Sequence, residues 1–128
     1  MRADRRVLAA IFAGGFCGTV VRALVGEALP YQTGEWPWAT LVVNVAGALV
    51  LGYVITRVEA GREPFRHAGR LLGTGFCAAL TTFSTLQLEL LEMLDDDRYA
   101  LAAAYALVSI AAGLLAVVLT TRLAEDVR

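Results

Sequence analysis

Residues 75–89 read Gly-Phe-Cys-Ala-Ala-Leu-Thr-Thr-Phe-Ser-Thr-Leu-Gln-Leu-Glu, which places hydroxyls, an aromatic ring and a carboxylate in a stretch otherwise apolar enough to span a membrane. Lipid offers such groups no hydrogen-bond partner, so they indicate a special local structure. Ser84 and Gln87 have the spacing of a capping box, in which two side chains satisfy N–H groups at a helix start. We therefore predict that a membrane-spanning helix breaks within residues 78–84 and restarts there.

The whole chain has the composition of an integral membrane protein. Of its 128 residues, 58% are hydrophobic, which gives more apolar surface than a soluble domain of this length can bury. Four windows reach the roughly 20 residues that cross a bilayer core. They are residues 7–29, 38–56, 71–94 and 99–121. We expect an all-α protein in which residues 1–128 form one domain of four transmembrane helices, and we do not expect a removable signal peptide.

The arginines are unevenly distributed along the chain, which contains no lysine. Nine of the eleven fall on one side of the expected membrane: Arg2, Arg5, Arg6, Arg57, Arg62, Arg66, Arg70, Arg122 and Arg128. Only Arg98 falls on the other side, and Arg22 lies within the first span. The positive-inside rule then places both termini in the cytoplasm and Asp95–Asp97 outside.

Two pairs of glycines have the GxxxG spacing that lets helix backbones approach closely in lipid. Gly14 and Gly18 lie in the first span, and Gly69 and Gly73 lie at the start of the third. The spacing favours specific helix packing, either within one chain or between two.

Polar residues four positions apart form a stripe on each of three spans, because such residues share one helix face. The pairs are Thr40 and Asn44 in the second span, Thr85 and Glu89 in the third, and Tyr105 and Ser109 in the fourth. Stacked together, these stripes predict a polar track suited to a small hydrated ion. The alternative is that the groups only hydrogen-bond neighbouring helices to each other.

A break in the third span would expose carbonyls at the end of one half-helix and N–H groups at the start of the next. Carbonyls attract a cation and N–H groups attract an anion, as in discontinuous transporter helices. Phe83 lies at the break, where the positive edge of its ring can meet an anion, although a phenylalanine in a membrane helix commonly serves packing alone.

Catalysis is not expected from this sequence. Cys17 and Cys77 lie inside spans and have neither metal-site nor redox-motif spacing. The sequence has no Ser/His/Asp or Cys/His set, no metal-ligand cluster and no phosphate-binding loop, so we predict that it is not an enzyme. No nucleic-acid partner is expected.

Several separated motifs resemble those of the small four-span fluoride channels called Fluc or CrcB, over essentially the whole chain. In the first two spans they are Gly14–Gly18 followed by Arg22, and Trp38–Gly47 with Asn44. In the last two they are Gly75–Cys77, Thr81–Thr85, Glu89, Tyr105 and Ser109.

The resemblance implies passive export of toxic cytoplasmic fluoride by an antiparallel, dual-topology dimer in the cell membrane, with two pores and a structural sodium ion at the dimer centre. The pore residues would be Phe83, which offers its ring edge, Asn44, which donates a hydrogen bond, and Thr40, Thr85, Glu89, Tyr105 and Ser109. Backbone carbonyls of Ala78 and Thr81 would hold the sodium. Arg22 would be a structural or vestibule charge.

The sequence departs from the family pattern at three positions in the third span. Leu86 replaces a second phenylalanine, and Ala78 and Ala79 replace glycines. A dimer of identical chains that inserts both ways also needs balanced arginines, which this chain lacks. These departures suggest a partner-dependent subunit that pairs with an oppositely oriented paralogue. The alternative is an antiparallel dimer of this chain with itself.

Two other membrane functions remain open. A small multidrug exporter also has about four spans, but it needs a carboxylate near the middle of the first span, where this chain is apolar and Glu27 lies at the end. A non-conducting membrane subunit would use the polar stripes only to bind other helices.

Overall fold

The computed structural model describes residues 4–61 and 69–126, and within them every regular element is a helix. We label the helices α1 (Arg5–Ala28), α2 (Trp38–Glu59), α3 (Arg70–Cys77), α4 (Ala78–Leu80), α5 (Phe83–Asp95) and α6 (Tyr99–Asp126). Four of the arginines counted above, Arg2, Arg62, Arg66 and Arg128, lie outside the described residues.

The described residues contain four helical segments that are long and apolar enough to cross a membrane, so the chain is a multi-pass membrane protein. They are Arg5–Ala28, Trp38–Glu59, Leu71–Asp95 and Tyr99–Asp126. The all-α fold with four spans is confirmed. Each span extends beyond its predicted window at one end or more, and α6 extends furthest because charged residues near its end continue the helix past the apolar stretch.

The third span is broken, as predicted, between α4 and α5. Helix α3 has π-helical geometry and continues directly into α4, after which Thr81 and Thr82 are extended, with ψ values of 150° and 116°. The cap that restarts the helix differs from the expectation. Thr82 rather than Ser84 is the N-cap of α5, and its hydroxyl accepts the N–H of Thr85 at 3.2 Å.

The predicted capping box of Ser84 and Gln87 is therefore wrong, since Ser84 already lies in the first turn of α5. The capping-box rule selects a Ser or Thr that is followed three residues later by Glu or Gln. Thr82 is followed three residues later by Thr85, which does not fit this rule. The backbone of Thr82 is held instead by Asn44 of α2.

Helix α1 packs directly on the first half of the third span because glycines remove the side chains between them. A Cβ atom on Gly14 or Gly18 would collide with backbone carbonyls of Leu71 or Phe76, respectively. A Cβ on Gly75 would lie 2.6 Å from the carbonyl of Ile11. The predicted close packing of the first glycine pair is thus confirmed, and it occurs within one chain.

The connections between spans that follow α1 and α5 meet at the same end of the molecule. Nη1 of Arg98 donates to the carbonyl of Gly34 at 2.7 Å, which joins these connections. Gly34 has a φ of 86°, a conformation that strongly favours glycine. Arg98, the one arginine expected opposite the others, is therefore used to fix the loops at this end.

Candidate functional site

A buried carboxylate joins three of the four spans. Glu89 in α5 is only 5% exposed. Its Oε1 accepts the hydroxyl of Thr40 in α2 at 2.6 Å, and its Oε2 accepts the hydroxyl of Tyr105 in α6 at 2.7 Å. A carboxyl group is costly to place in an apolar interior without such partners. The helix periodicity of the sequence placed these side chains on inward faces, and the structure brings them together.

Aromatic and aliphatic side chains enclose the hydroxyl end of this cluster. Tyr105 is fully buried, and the ring of Trp36 meets its ring edge-on at a centroid distance of 5.5 Å. Met93 and Ala102 form a small core with Tyr105, and Leu86 packs partly buried against that core. The residue that departs from the family pattern therefore stabilises the junction of α5 and α6.

Asn44 in α2 binds the break in the third span through both ends of its amide. Its Oδ1 accepts the backbone N–H of Thr82 at 2.8 Å, and its Nδ2 donates to the backbone carbonyl of Thr82 at 3.1 Å. One side chain thus satisfies both polar groups of a residue that has left the helix, which buried backbone requires. Gly47, one turn further along α2, leaves room for Thr81 at the same place.

Two carbonyls at the break lose their helical donors to side chains. In a continuous α-helix the N–H of Thr82 would bind the carbonyl of Ala78, and the N–H of Thr85 would bind that of Thr81. Here the first N–H binds Asn44 and the second binds the hydroxyl of Thr82. The predicted pair of carbonyls is therefore free of the hydrogen bonds that would continue the helix through the break.

A cavity of about 530 Å³ opens beside the break and extends to the Glu89 cluster. Its polar lining comes from α1, the connection after α1, α2, the break and α5: Arg22, Tyr31, Thr40, Thr82, Ser84, Thr85, Glu89 and Glu92. Arg22 supplies the positive charge of this lining, and Glu89 and Glu92 supply carboxyl groups. Burial raises the pKa of Tyr31 above its ordinary value, so its hydroxyl remains neutral at physiological pH.

Four of the predicted pore residues do not line the described cavity: Asn44, Phe83, Tyr105 and Ser109. The ring of Phe83 is 71% exposed on the surface of the single chain, although its neighbours Thr82 and Ser84 both line the cavity. The hydroxyl of Ser109 is buried and has no hydrogen-bond partner within residues 4–61 and 69–126. The ring of Phe83 is thus open to contact on the single chain, whereas the hydroxyl of Ser109 is enclosed within it.

Sequence reasoning found most of these residues but missed Thr82, Tyr31 and Glu92. Thr82 lies within the motif of residues 75–89, yet its role depends on Asn44, which is 38 positions away along the chain. Glu92 lies three positions after Glu89, so helix spacing could have placed it on the same face. Tyr31 lies in a connection, where periodicity gives no information.

A broken third span, a carboxylate shared by three helices and a polar cavity at the break define a class, namely small four-span membrane proteins with an intramembrane polar site. Residues 9–121 match the family model described as CrcB-like protein, Camphor Resistance (CrcB). The chain belongs to this family, whose members are ion channels and not enzymes.

Named relatives agree with this assignment. The chain is 49% identical to "Fluoride-specific ion channel FluC 1" of Mycolicibacterium paratuberculosis, over 98% of this chain and 95% of that protein. It is 36% identical to a protein of the same name from Ligilactobacillus salivarius, over 80% of this chain and 86% of the relative. It is 43% identical to "Fluoride-specific ion channel FluC 2" of Moorella thermoacetica, over 80% of this chain and 83% of the relative.

Proposed function

We propose that this chain is a fluoride-selective ion channel through which toxic cytoplasmic fluoride leaves the cell passively. The observation that carries the proposal is the exposed ring of Phe83 at the helix break, between two residues whose hydroxyls line the cavity. The ring edge carries partial positive charge and can meet an anion without a full opposite charge. Hydroxyls nearby can replace the water that a small hydrated ion gives up.

The pore is completed by a second chain packed antiparallel to the first. Support comes from the position of the site, since Phe83 and Ala78 are both exposed on the single chain although they lie near the middle of a span. In such a dimer, the polar track is formed by residues described above: Thr40, Asn44, Thr85, Glu89, Tyr105 and Ser109. Arg22 supplies positive charge at the vestibule, which raises the local concentration of anions.

A structural sodium ion at the centre of the dimer fits the residues present at the break. The carbonyls of Ala78 and Thr81 would hold it, because their helical donors are bound to side chains and hard cations prefer oxygen ligands. When bound, sodium supplies a fixed positive charge between two anion pathways.

The function is tested with liposomes that contain the purified chain and are loaded with fluoride and chloride. Ion-selective electrodes then follow each anion after dilution into a buffer whose anion is impermeant glutamate, with valinomycin present so that potassium carries the compensating charge. A fluoride channel discharges fluoride within seconds to minutes and retains chloride. Retention of fluoride by vesicles that hold the folded chain and a confirmed partner would reject the proposal, and so would equal release of both anions.

A partner-dependent form of the same channel is the second candidate, and the arginine distribution favours it. Nine arginines oppose one, which predicts a single orientation with cytoplasmic termini rather than dual insertion. Leu86 also packs inward, so each chain contributes one ring to the break instead of two. A paralogue inserted in the opposite orientation would complete the antiparallel dimer.

Orientation is measured with single cysteines in a chain whose Cys17 and Cys77 are replaced by alanine. Ala60→Cys and Asp96→Cys place exposed thiols at opposite ends of the described molecule. In the partner-dependent form, an impermeant maleimide labels Asp96→Cys only from outside and Ala60→Cys only after the membrane is opened. Labelling of about half of each variant from outside would instead favour the dimer of identical chains. Full fluoride efflux by the chain alone would also exclude the requirement for a partner.

A further inference from the structure

We infer that Asn44 is a positioning residue for the carbonyl pair at the helix break, because its Oδ1 keeps the N–H of Thr82 away from the carbonyl of Ala78. The inference deepens the proposed function and rests on the sodium site proposed there. It assigns to Asn44 an effect on cation binding that is separate from any contact with fluoride.

Asn44 and the carbonyl of Ala78 compete for one hydrogen-bond donor. Helix α4 ends with the N–H of Thr81 bound to the carbonyl of Cys77 at 3.0 Å. The next N–H, that of Thr82, is the one that would bind Ala78 if the helix continued. It binds Oδ1 of Asn44 at 2.8 Å instead.

The acceptor and the donor of the Asn44 amide have different effects on the break. The acceptor half determines whether Ala78 is free, since it holds the N–H of Thr82. The donor half binds the carbonyl of Thr82 at 3.1 Å and leaves one N–H of Nδ2 for another acceptor. Substitutions that keep only one half therefore separate the two effects.

The carbonyl of Thr81 is freed by a side chain other than that of Asn44. Its helical donor, the N–H of Thr85, binds the hydroxyl of Thr82 at 3.2 Å. Loss of Asn44 therefore changes the Ala78 ligand alone and weakens the cation site without eliminating it.

The experiment measures sodium binding to the purified dimer in detergent, as the rise in unfolding temperature with sodium at constant ionic strength set by N-methyl-glucamine. Asn44→Ala is expected to raise the sodium midpoint about tenfold, because the ion must then displace a helical hydrogen bond worth about that factor. Asn44→Asp keeps the acceptor and is expected to keep the sodium midpoint, while fluoride efflux falls. Thr74→Ala, at an exposed position of α3 outside the proposed pore, is the matched control and keeps the wild-type midpoint.

The outcomes distinguish the two proposals. A sodium effect in the wild type that is unchanged in Asn44→Ala would overturn the positioning role of Asn44 and leave the sodium site in place. An equal weakening in Asn44→Ala and Asn44→Asp would also overturn it, because the acceptor half would not be the part that matters. The absence of any sodium effect in the wild type would overturn both the sodium site and this inference, and fluoride efflux by the same sample would leave the channel function standing.

Discussion

Phe83 is the residue on which the choice of ion depends. A large apolar ring that is 71% exposed has an ordinary explanation in a membrane protein, which is contact with lipid. Its position at a helix break, between Thr82 and Ser84 at the edge of a polar cavity, is what sets it apart from other exposed rings. The sequence left lipid contact and ion contact open for this ring, and the structure favours ion contact only through the position of the ring. Substitution of Phe83 decides between the two.

Replacement of Phe83 by isoleucine is expected to abolish fluoride efflux while the protein remains folded, because isoleucine has similar apolar character and no positive ring edge. Electrode measurements on liposomes give the rate, and size-exclusion chromatography checks the fold. Phe12→Ile is the control, since the ring of Phe12 is 77% exposed on α1, which is a different helix from the broken span. Wild-type flux in Phe83→Ile would remove this ring from the pore.

Glu89 is the residue that connects the polar track to the stability of the fold. Its carboxyl group accepts hydrogen bonds from Thr40 and Tyr105, so the stripes predicted from the sequence are both a candidate path and a connection between helices. A path for an ion and a connection between helices are therefore compatible at this site.

Thr40→Val keeps the shape of the side chain and removes one hydrogen bond to Glu89. We expect it to lower the free energy of unfolding by about 1–3 kcal/mol, the usual cost of leaving a buried acceptor without its hydrogen bond. Chemical unfolding in mild detergent measures the difference. Thr74→Val, at an exposed position of α3, should change it by less than about 0.5 kcal/mol. Equal effects of the two substitutions would contradict the role of the Glu89 cluster.

The broken third span is the element that positions the site, and its shape comes from contacts on both sides. On one side Gly14, Gly18 and Gly75 bring the backbones of α1 and α3 together. On the other side Asn44 holds the peptide groups of Thr82. The two half-helices are thus fixed independently, and the break lies where these two sets of contacts meet.

Gly18→Ala should disturb this element, because a Cβ there would collide with the carbonyl of Phe76. We expect a loss of stability of about 1–3 kcal/mol, as for overpacking of a well-packed interior. Gly26→Ala is the matched control in the same helix, since a Cβ at Gly26 meets nothing within 4 Å. It should gain up to about 1 kcal/mol from helix propensity. Thermal unfolding compares the two, and a stable Gly18→Ala variant would show that α1 and α3 are not fixed in contact.

The sequence predicted the elements far better than their connections. Apolar length located the four spans, and a polar cluster in an apolar stretch located the break, because both signals are local in the chain. The cap was misplaced by two residues since the local rule sees Gln87 but not Asn44, which acts through the fold. The spacing of Thr40, Glu89 and Tyr105 predicted inward faces, and only the packing of α2, α5 and α6 showed that they meet at one carboxyl group.

At the scale of the whole molecule, the ring at the break is at the surface of one chain, and the sequence predicts that the arginines are concentrated at one end. The exposed Phe83 and Ala78 are the surfaces that the second chain of the proposed dimer would cover. The excess of arginines at the predicted cytoplasmic end favours a different protein as that second chain. Selectivity for fluoride is the property that the completed pore is proposed to have.

The most direct measurement of that property is the reversal potential of single channels in a planar bilayer, with fluoride on one side, chloride on the other and one shared cation at equal concentration. A fluoride-selective pore made by this chain, alone or with its paralogue, carries fluoride current and no chloride current. The reversal potential then shifts toward the equilibrium potential of fluoride, by about 59 mV for each tenfold preference for fluoride over chloride. A reversal potential near zero, which means equal permeability to the two anions, would contradict the account.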